Sequence, residues 1–369
     1  MTIFIIIFII VIALVQFWST NNALKGIKYD YRFSKKLIEI GETTEIISTI
    51  TNESRRFVPF IRMVEALPKG VRTLNQKVFI REDTMGLGHL SHNSSVYLLA
   101  RSKLQRKLKV TFDQRGRYVF RGAELRGGDF LGLTDKREKY LEFRELIVYP
   151  KKIEAPHLQE ILGGFLGDIS VRRFIMEDPI LTIGTREYTG REPLKQMSWK
   201  HTARTNQMMV KQFDYTTEMV VTVLLDISTA VGKTLTPEQF ENCFSLARTV
   251  CQFLDHQKIP FEYVSNAISE GLQIEEGRLI LIQSLGKAHM RAILEQLGRA
   301  GYGTRVSYES VIENLALNQE QNRSTIIITP RRDPTKHRLA QKLKEKTTGA
   351  LIFIYGEDFD QGGSEYDIS

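Results

Sequence analysis

The chain has 369 residues, enough for about two domains at the usual ~100–200 residues per domain. Hydrophobic residues make up 42% and charged residues 25% of the sequence, which excludes a mostly disordered or low-complexity chain. The two cysteines exclude a disulfide-rich scaffold and a cysteine-based zinc cluster, and the formal net charge of +8 is too small to indicate nucleic-acid binding by itself.

An apolar segment opens the chain. Residues 1–18 carry no charged side chain and end in Trp18, a residue typical of the membrane–water interface. As a helix, this segment would reach about 27 Å, close to the roughly 30 Å of a bilayer's hydrocarbon core. A cleaved signal peptide is the alternative, but such a peptide has basic residues before its apolar run and this sequence has none. The segment therefore predicts a retained single transmembrane helix.

Basic residues follow this predicted anchor and orient it. The cluster consists of Lys25, Lys28, Arg32, Lys35 and Lys36. Because positive charge favours the cytoplasmic side, we expect a single-pass protein of the cell membrane with the bulk of the chain in the cytoplasm. The same cluster is expected to contact anionic lipid headgroups, at about 1 kcal/mol per basic side chain near the surface. Solvated strand residues are the simpler alternative.

Residues 19–150 predict a β-rich domain. Residues 45–51 are dominated by β-branched side chains, and residues 107–112 alternate basic and apolar side chains, as in a strand with one face in water. Glycines and turn sequences separate such segments, and no convincing helix interrupts them. The interpretation is an antiparallel β-sandwich-like domain.

Nine lysines and arginines lie between Arg101 and Arg126, with the aromatic residues Phe112, Tyr118 and Phe120 interleaved among them. Single-stranded nucleic acid is bound by such mixtures, but a solvated sheet face explains the pattern more simply, so no nucleic-acid partner is expected. His89 and His92 lie close together in the sequence, and no third residue nearby resembles a metal ligand.

Residues 219–356 alternate apolar strands with helices, after a connecting region at 151–218. The apolar run Val220–Leu225 predicts a strand buried on both faces. Thr236, Pro237 and Gln239 predict a capping box that starts an amphipathic helix. Further strands are predicted at 261–264, 279–282, 325–329 and 351–355, and further helices at 289–297 and 335–346. This alternation predicts an α/β domain with a mainly parallel sheet, followed by a flexible acidic tail at 357–369.

The connecting region contains a dense set of complementary charges and aromatic rings. Its members are Arg186, Glu187, Tyr188, Glu192, Lys195, Trp199, Lys200 and Arg204. One interpretation is a hydrogen-bonded clasp between the two domains, and the other is a recognition surface in which arginine and tryptophan anchor a partner.

No nucleophile with an attached base is apparent in the sequence, and the phosphate-loop, zinc and serine-elbow motifs are missing. We therefore expect a protein that is not an enzyme.

The same region resembles a known family. The segments that carry the resemblance are Gly184–Tyr188, Glu192–Lys195, Ser198–Lys200 and Ala203–Arg204, and Gly128–Leu133 and Val148–Pro150 are similar to further parts of the pattern. Together they resemble the bacterial domain-of-unknown-function family number 58. The resemblance implies a membrane protein that works with a MoxR-type AAA+ ATPase. The expected function is therefore a scaffold or interaction protein in the assembly or maturation of envelope or other protein complexes.

The second half also resembles a von Willebrand factor A-like (Rossmann-like) domain, through Asp226–Ala230. Metal-binding members have the pattern Asp-x-Ser-x-Ser, whose carboxylate and hydroxyls offer hard oxygen ligands to magnesium. Asp226 and Ser228 match this pattern, whereas Ala230 has no side-chain oxygen. A metal-free interaction domain without a cofactor is expected. A magnesium-dependent ligand-binding protein that uses Asp226 and Ser228 is the alternative.

Overall fold

A computed structural model describes most of the chain. The described residues are 24–74, 80–82, 90–128, 135–175, 182–213, 220–229, 235–272, 280–318, 323–347 and 349–359, together with Phe4, Ile6, Ile7, Ile10–Leu14 and Phe17. The chain divides into two compact units, Met1–Lys151 and Lys152–Ser369.

The predicted anchor at 1–18 lies partly outside the described residues. Those that are described, between Phe4 and Phe17, are helical, and their apolar side chains are exposed. Among the helices in the described part of the chain, none is both long enough and apolar enough to cross a bilayer.

The first unit is built from strands. They are β1 (Ile27–Phe33), β2 (Leu37–Glu39), β3 (Thr44–Asn52), β4 (Val58–Leu67), β5 (Val71–Thr73), β6 (Ile80–Glu82), β7 (Leu90–Leu98), β8 (Lys103–Phe112), β9 (Gly116–Phe120), β10 (Ala123–Gly128), β11 (Asp135–Tyr140) and β12 (Arg144–Tyr149). Three sheets result, in the strand orders β1-β3-β8-β5, β11-β10-β4-β7-β6 and β2-β12-β9. The described pairs are antiparallel apart from β2 with β12. The predicted β-rich, antiparallel first half is therefore confirmed.

Side-chain alternation explains these strands. In β3, every second residue from Thr44 to Asn52 is buried and the intervening residues are partly exposed. In β8, Lys103, Lys107 and Lys109 are exposed while Leu108 and Val110 are buried. Each strand therefore places one apolar row in the core and one polar row in water.

A buried polar network joins strands of two sheets in this unit. Glu65 on β4 accepts hydrogen bonds from Ser48 on β3 and, at 3.0 Å, from the Tyr29 hydroxyl on β1. Its other oxygen lies 2.8 Å from Nδ1 of His92 on β7, and Nε2 of His92 lies 2.8 Å from a guanidinium nitrogen of Arg106 on β8. His92 is thus a buried strand residue of this network. The neighbouring His89 lies outside the described residues.

The second unit combines strands and helices. Its strands are β13 (Thr182–Glu187), β14 (Met209–Phe213), β15 (Val220–Leu225), β16 (Phe261–Ser265), β17 (Ala267–Ser269), β18 (Ile280–Ser284), β19 (Ala300–Thr304), β20 (Arg323–Thr329) and β21 (Leu351–Tyr355). Its helices are α1 (Pro156–Ile175), α2 (Trp199–Thr205), α3 (Pro237–His256), α4 (Lys287–Arg299), α5 (Tyr308–Asn318) and α6 (Pro334–Lys346), with short 3₁₀ helices at Leu194–Gln196 and Gly356–Phe359.

A five-stranded sheet forms the centre of this unit, in the order β18-β16-β15-β20-β21. Neighbouring strands from β16 to β21 are parallel, whereas β18 runs antiparallel to β16. Helix α3 covers the sheet with an apolar face that includes the buried Cys243 and Cys251. The predicted capping box starts this helix, because the Thr236 amide donates to Oε1 of Gln239 at 3.3 Å.

Two segments differ from the sequence prediction. Helix α1 lies in the region predicted as a connection, where Gly163, Gly164 and Gly167 obscure a helical pattern because glycine disfavours helices. Its apolar face nevertheless buries side chains at helical spacing, Leu158, Leu162, Phe165 and Ile169. Of the predicted flexible tail, 357–359 belong to a 3₁₀ helix, and 360–369 lie outside the described residues.

Candidate functional site

Residues 182–213, here called the 182–213 block, contain the charged and aromatic cluster predicted from the sequence. Strands β13 and β14 pair antiparallel, with Arg186 opposite Val210. Met197, which follows the 3₁₀ helix, forms a bridge to Val210, and both side chains are buried. The β13–β14 pair thus holds the intervening loop and helix α2 against a small core of the block.

Glu192 fastens the loop that follows β13. Its carboxylate accepts from the Thr189 hydroxyl at 2.8 Å and the Thr189 amide at 3.1 Å, and it pairs with Nη1 of Arg186 at 2.6 Å. The hydroxyl of Thr189 and then the guanidinium of Arg186 lower the pKa of Glu192 to about 2, against the opposing effect of desolvation. The carboxylate is therefore ionised at neutral pH and keeps the loop closed.

Helix α2 is fixed to β14 at its start and at its middle. The Ser198 amide donates to the Met209 carbonyl at 2.8 Å, and the Met209 amide donates to the Thr202 hydroxyl at 3.0 Å. Asn206 ends the helix in the left-handed conformation, with φ of 58°. These contacts set the direction of the side chains on α2.

Exposed apolar and basic side chains lie on this block. Trp199 is 64% exposed, and Leu194 and Met208 are each more than half exposed. Exposed basic side chains belong to the same loop and helix, namely Arg191, Lys195, Lys200 and Arg204. We call these seven residues the Trp199 surface.

The eight predicted residues divide into two groups. Arg186 and Glu192 form an ion pair, and Tyr188 is partly buried, with its amide bonded to the Met208 carbonyl at 2.9 Å. The others are exposed: Glu187, Lys195, Trp199, Lys200 and Arg204. The structure thus brings Arg186 and Glu192 together and leaves Trp199 facing solvent.

A second candidate lies at the carboxyl edge of the parallel sheet, where Asp226 follows β15 and is fully buried. Its Oδ2 accepts from Nζ of Lys336 at 2.5 Å and from the Thr329 hydroxyl at 3.2 Å. Its Oδ1 accepts from Nδ2 of Asn266 at 2.6 Å and from the Ser228 amide at 3.0 Å. Both carboxylate oxygens are therefore bonded to protein donors.

The Lys336 ammonium is equally engaged. Besides Asp226 it donates to the Ser228 carbonyl at 2.8 Å and to the Thr329 hydroxyl at 2.9 Å, so its three donors all have partners. Its Nζ also lies 5.5 Å from the centre of the Tyr308 ring. Burial, and then the charge of Asp226, raise the pKa of the Tyr308 hydroxyl.

This arrangement does not fit the magnesium site that Asp226 and Ser228 suggested as an alternative. A magnesium ion requires oxygen ligands, whereas Asp226 faces the amide nitrogens of Asn266 and Ser228 and the ammonium of Lys336. Ala230, the other position of that pattern, lies outside the described residues. Within the described ranges, no group of three or more His, Cys, Asp and Glu side chains is arranged to hold a metal ion.

A cavity of about 80 Å³ opens beside Lys336. Its walls include Ser228, Thr229, Pro330 and Arg331. Sites for organic ligands usually occupy about 300–1,000 Å³, so the described walls of this cavity enclose less space than such a site.

Lys336, Thr329 and Asn266 are not among the site residues predicted from the sequence. A local signal existed for Lys336, because it lies in the first turn of α6, after the cap Asp333 and Pro334. The helix dipole disfavours a cation at that end. A lysine at this position is therefore unusual, although the sequence around it does not identify its partner.

Comparison with known families gives one match. Residues 184–329 match the family described as "Protein of unknown function DUF58", which confirms the family resemblance for this part of the chain. No curated protein matches the chain.

Solved structures with similarity to part of the chain include two small domains. One is the CARDB domain of a Pyrococcus furiosus protein in complex with di-metal ions, with 13% identity over 33% of this chain and 91% of that chain and a TM-score of 0.23. Another is a cohesin module from Clostridium perfringens, with 14% identity over 33% of this chain and 96% of that chain and a TM-score of 0.21. Similarity at this level carries no information about function.

Proposed function

We propose that the chain is a membrane-anchored interaction protein, not an enzyme, and that it binds a partner protein through the Trp199 surface. The family that residues 184–329 match has no known function, so the proposal is argued from the surface itself. The observation that carries the proposal is the 64% exposure of the Trp199 side chain. An exposed indole on a helix that is held by hydrogen bonds offers apolar area to a partner, which supports recognition.

The chemistry of this surface supports recognition of a protein. Tryptophan and arginine are enriched among residues that dominate binding energy, and apolar side chains at the centre of an interface gain most from burial. Here Trp199, Leu194 and Met208 supply the apolar area, and the exposed cations of the same block favour an acidic partner surface. The hydrogen bonds that fix the loop and helix α2 reduce the entropy lost on binding.

The proposed partner is a MoxR-type AAA+ ATPase, and the proposed process is the assembly or maturation of envelope or other protein complexes. Both follow from the family resemblance. We also propose that the second unit is a von Willebrand factor A-like domain used for interaction and not for metal binding. Its central sheet, in which β15 and β20 are parallel neighbours and Asp226 follows β15, supports this proposal.

The proposed location is the cell membrane, with one pass and the bulk of the chain in the cytoplasm. The exposed apolar side chains between Phe4 and Phe17 support an apolar environment for the first segment. The basic residues that follow are exposed and thus accessible to lipid headgroups: Lys25, Lys28, Arg32, Lys35 and Lys36.

The test measures binding between the full chain in mild detergent and a purified MoxR-type ATPase from the same genome. We expect Trp199→Ala to weaken binding by about 30-fold, equivalent to about 2 kcal/mol. Leu317→Ala is the control, because Leu317 is a large apolar residue that is also exposed and lies on α5. Unchanged affinity for Trp199→Ala, or no binding by the natural chain, would refute the proposal.

The alternative is a magnesium-dependent ligand-binding protein that uses Asp226 and Ser228. The ion pair between Lys336 and Asp226 disfavours it, because the ammonium already neutralises this carboxylate.

A further inference from the structure

Three segments meet at one end of the first unit, namely the residues just before β1, the turn between β3 and β4, and the turn between β7 and β8. Leu24 is buried there, and the Gly26 carbonyl accepts from the Glu53 amide at 2.8 Å. The Lys25 carbonyl accepts from an Arg56 guanidinium nitrogen at 3.3 Å. The turn between β3 and β4 therefore holds the entering chain by its backbone.

The turn between β7 and β8 joins the same end. Asn52, which is buried, donates from Nδ2 to the Arg56 carbonyl at 2.7 Å and to the Leu99 carbonyl at 2.9 Å. The Arg101 amide donates to the Ser54 carbonyl at 3.0 Å. These bonds make the two turns and the entering chain one rigid feature.

This feature exposes large apolar side chains next to cations. Tyr97 and Leu99 are each more than half exposed and Phe57 is nearly half exposed, with the rings of Phe57 and Tyr97 6.4 Å apart. The exposed basic side chains of the same segments are Lys25, Arg55 and Arg101. We call these six residues the basic-aromatic tip.

Chain connectivity places this tip close to the apolar first segment. Phe17, the last described residue of that segment, precedes Leu24 by seven positions, and a fully extended chain of that length spans at most about 25 Å. Aromatic rings and basic side chains are the residues that favour the interface of a membrane with anionic lipid.

We propose that the basic-aromatic tip lies on the anionic lipid surface of the membrane and inserts Phe57, Tyr97 and Leu99 among the headgroups. This inference rests on the proposed membrane anchor. It adds a second contact, which fixes the orientation of the first unit on the bilayer instead of leaving the unit on a free tether.

The experiment places a fluorescent probe on the full chain in phosphatidylcholine vesicles with and without phosphatidylglycerol. The two natural cysteines are buried, so a label reacts with an introduced Tyr97→Cys. The matched control is Gln114→Cys, an exposed position in the turn at the opposite end of β8, about 30 Å from the tip.

We expect nitroxide-bearing lipid to quench the probe at 97 at least about twofold more than the probe at 114 when phosphatidylglycerol is present. The difference should shrink in Lys25→Glu/Arg55→Glu, because anionic lipid then repels the tip. Equal quenching at the two positions overturns the proposal. So does a probe at 97 that is shielded from aqueous quencher but not reached by lipid nitroxide, which would indicate a protein contact.

Flotation of the vesicles after an alkaline wash separates this inference from the anchor. A chain that floats while the probe at 97 stays unquenched refutes the tip and leaves the anchor intact. A chain that does not float refutes both.

Discussion

Each unit of the molecule buries more than one carboxylate, and Asp226 and Glu65 are neutralised in different ways. Asp226 in the second unit contacts the ammonium of Lys336 directly. Glu65 in the first unit contacts His92, and Arg106 lies one step further away. Because a guanidinium can only donate, Nε2 of His92 must accept from Arg106, which leaves the proton on Nδ1 for Glu65. Glu65 is thus held by a neutral ring and hydroxyls.

The difference reflects where each fold offers partners. In the antiparallel unit, the partners of Glu65 lie at fixed positions along β1, β3 and β7, so the network ties strands of two sheets. In the α/β unit, the partners of Asp226 follow the ends of parallel strands or begin a helix, so the network ties loops. Removing the partner of a buried charge therefore costs more stability when the charge is paired directly.

The largest effect is expected from Lys336→Met. This variant leaves the fully buried Asp226 without its cation, and breaking a buried pair in this way costs about 3–5 kcal/mol of unfolding free energy. Urea denaturation followed by circular dichroism measures the loss. Lys344→Met, at an exposed lysine of the same helix, should change stability by less than about 0.5 kcal/mol.

Asp226→Asn in the Lys336→Met background tests the cause. Removing the orphaned charge should restore about half or more of the loss. If the double variant is as unstable as the single one, the ion pair does not explain the effect.

Glu65→Gln should have a smaller effect, about 1–3 kcal/mol, because a neutral amide keeps part of the hydrogen bonding. Burial raises the pKa of Glu65, but hydrogen bonds from His92 and Ser48 outweigh it and lower the pKa below the ordinary 4.5. Since the folded pKa is the lower one, this contribution is complete above pH 4.5 and is lost as the pH falls through the folded pKa.

The natural chain should therefore lose stability more steeply on acidification than Glu65→Gln, as measured by urea denaturation at a series of pH values. Glu313→Gln, at an exposed carboxylate, serves as the control and should keep the natural acid profile. Parallel acid profiles for the natural chain and Glu65→Gln would show that the ionised Glu65 carboxylate does not contribute this stability.

Thr329→Val should lower the free energy of unfolding by about 1 kcal/mol. It removes one hydrogen bond to Asp226 and one from Lys336 but keeps the ion pair between them. Thr325→Val in the same strand is the matched control. The Thr325 hydroxyl is buried and has no hydrogen-bond partner in the described structure, so its loss should be neutral or slightly stabilising. Equal effects of the two substitutions in the denaturation assay would refute this role of Thr329.

The smallest effect is expected from magnesium. The natural chain should show no change in thermal unfolding at millimolar magnesium, because protein donors surround Asp226. Removing the ammonium in Lys336→Ala frees that carboxylate. If the variant then binds magnesium, it gains about 1.4 kcal/mol at ten times the Kd. Stabilisation of the natural chain would instead revive the magnesium-dependent alternative.

Much of the fold was predictable from local patterns. Alternation identified the β-rich first half, and the capping box at Thr236 identified the start of α3. Helix α1 was missed because its glycines oppose local helix propensity, while packing of Leu158 and Phe165 against the core stabilises it. The helical spacing of its buried apolar residues was a local signal, but the glycines obscured it.

The candidate sites were predictable only in part. Asp226 and Ser228 stood out at a strand end, but Lys336 lies 110 positions after its partner, and no local pattern links the two. The charges around Trp199 were visible in the sequence. The exposure of this ring was not visible, because the same neighbouring sequence can surround a tryptophan that packs into a core and one that faces a partner.

The parallel pair of β2 with β12 has a consequence for synthesis of the protein. Ile38, near the start of the first unit, lies opposite Val148, near its end, and both side chains are buried. Strand β2, which leaves the ribosome early, therefore cannot pair with β12 until the last strand of the unit has been synthesised. Contacts this distant in sequence slow folding, so the nascent first unit should depend on protection from aggregation until Tyr149 has emerged.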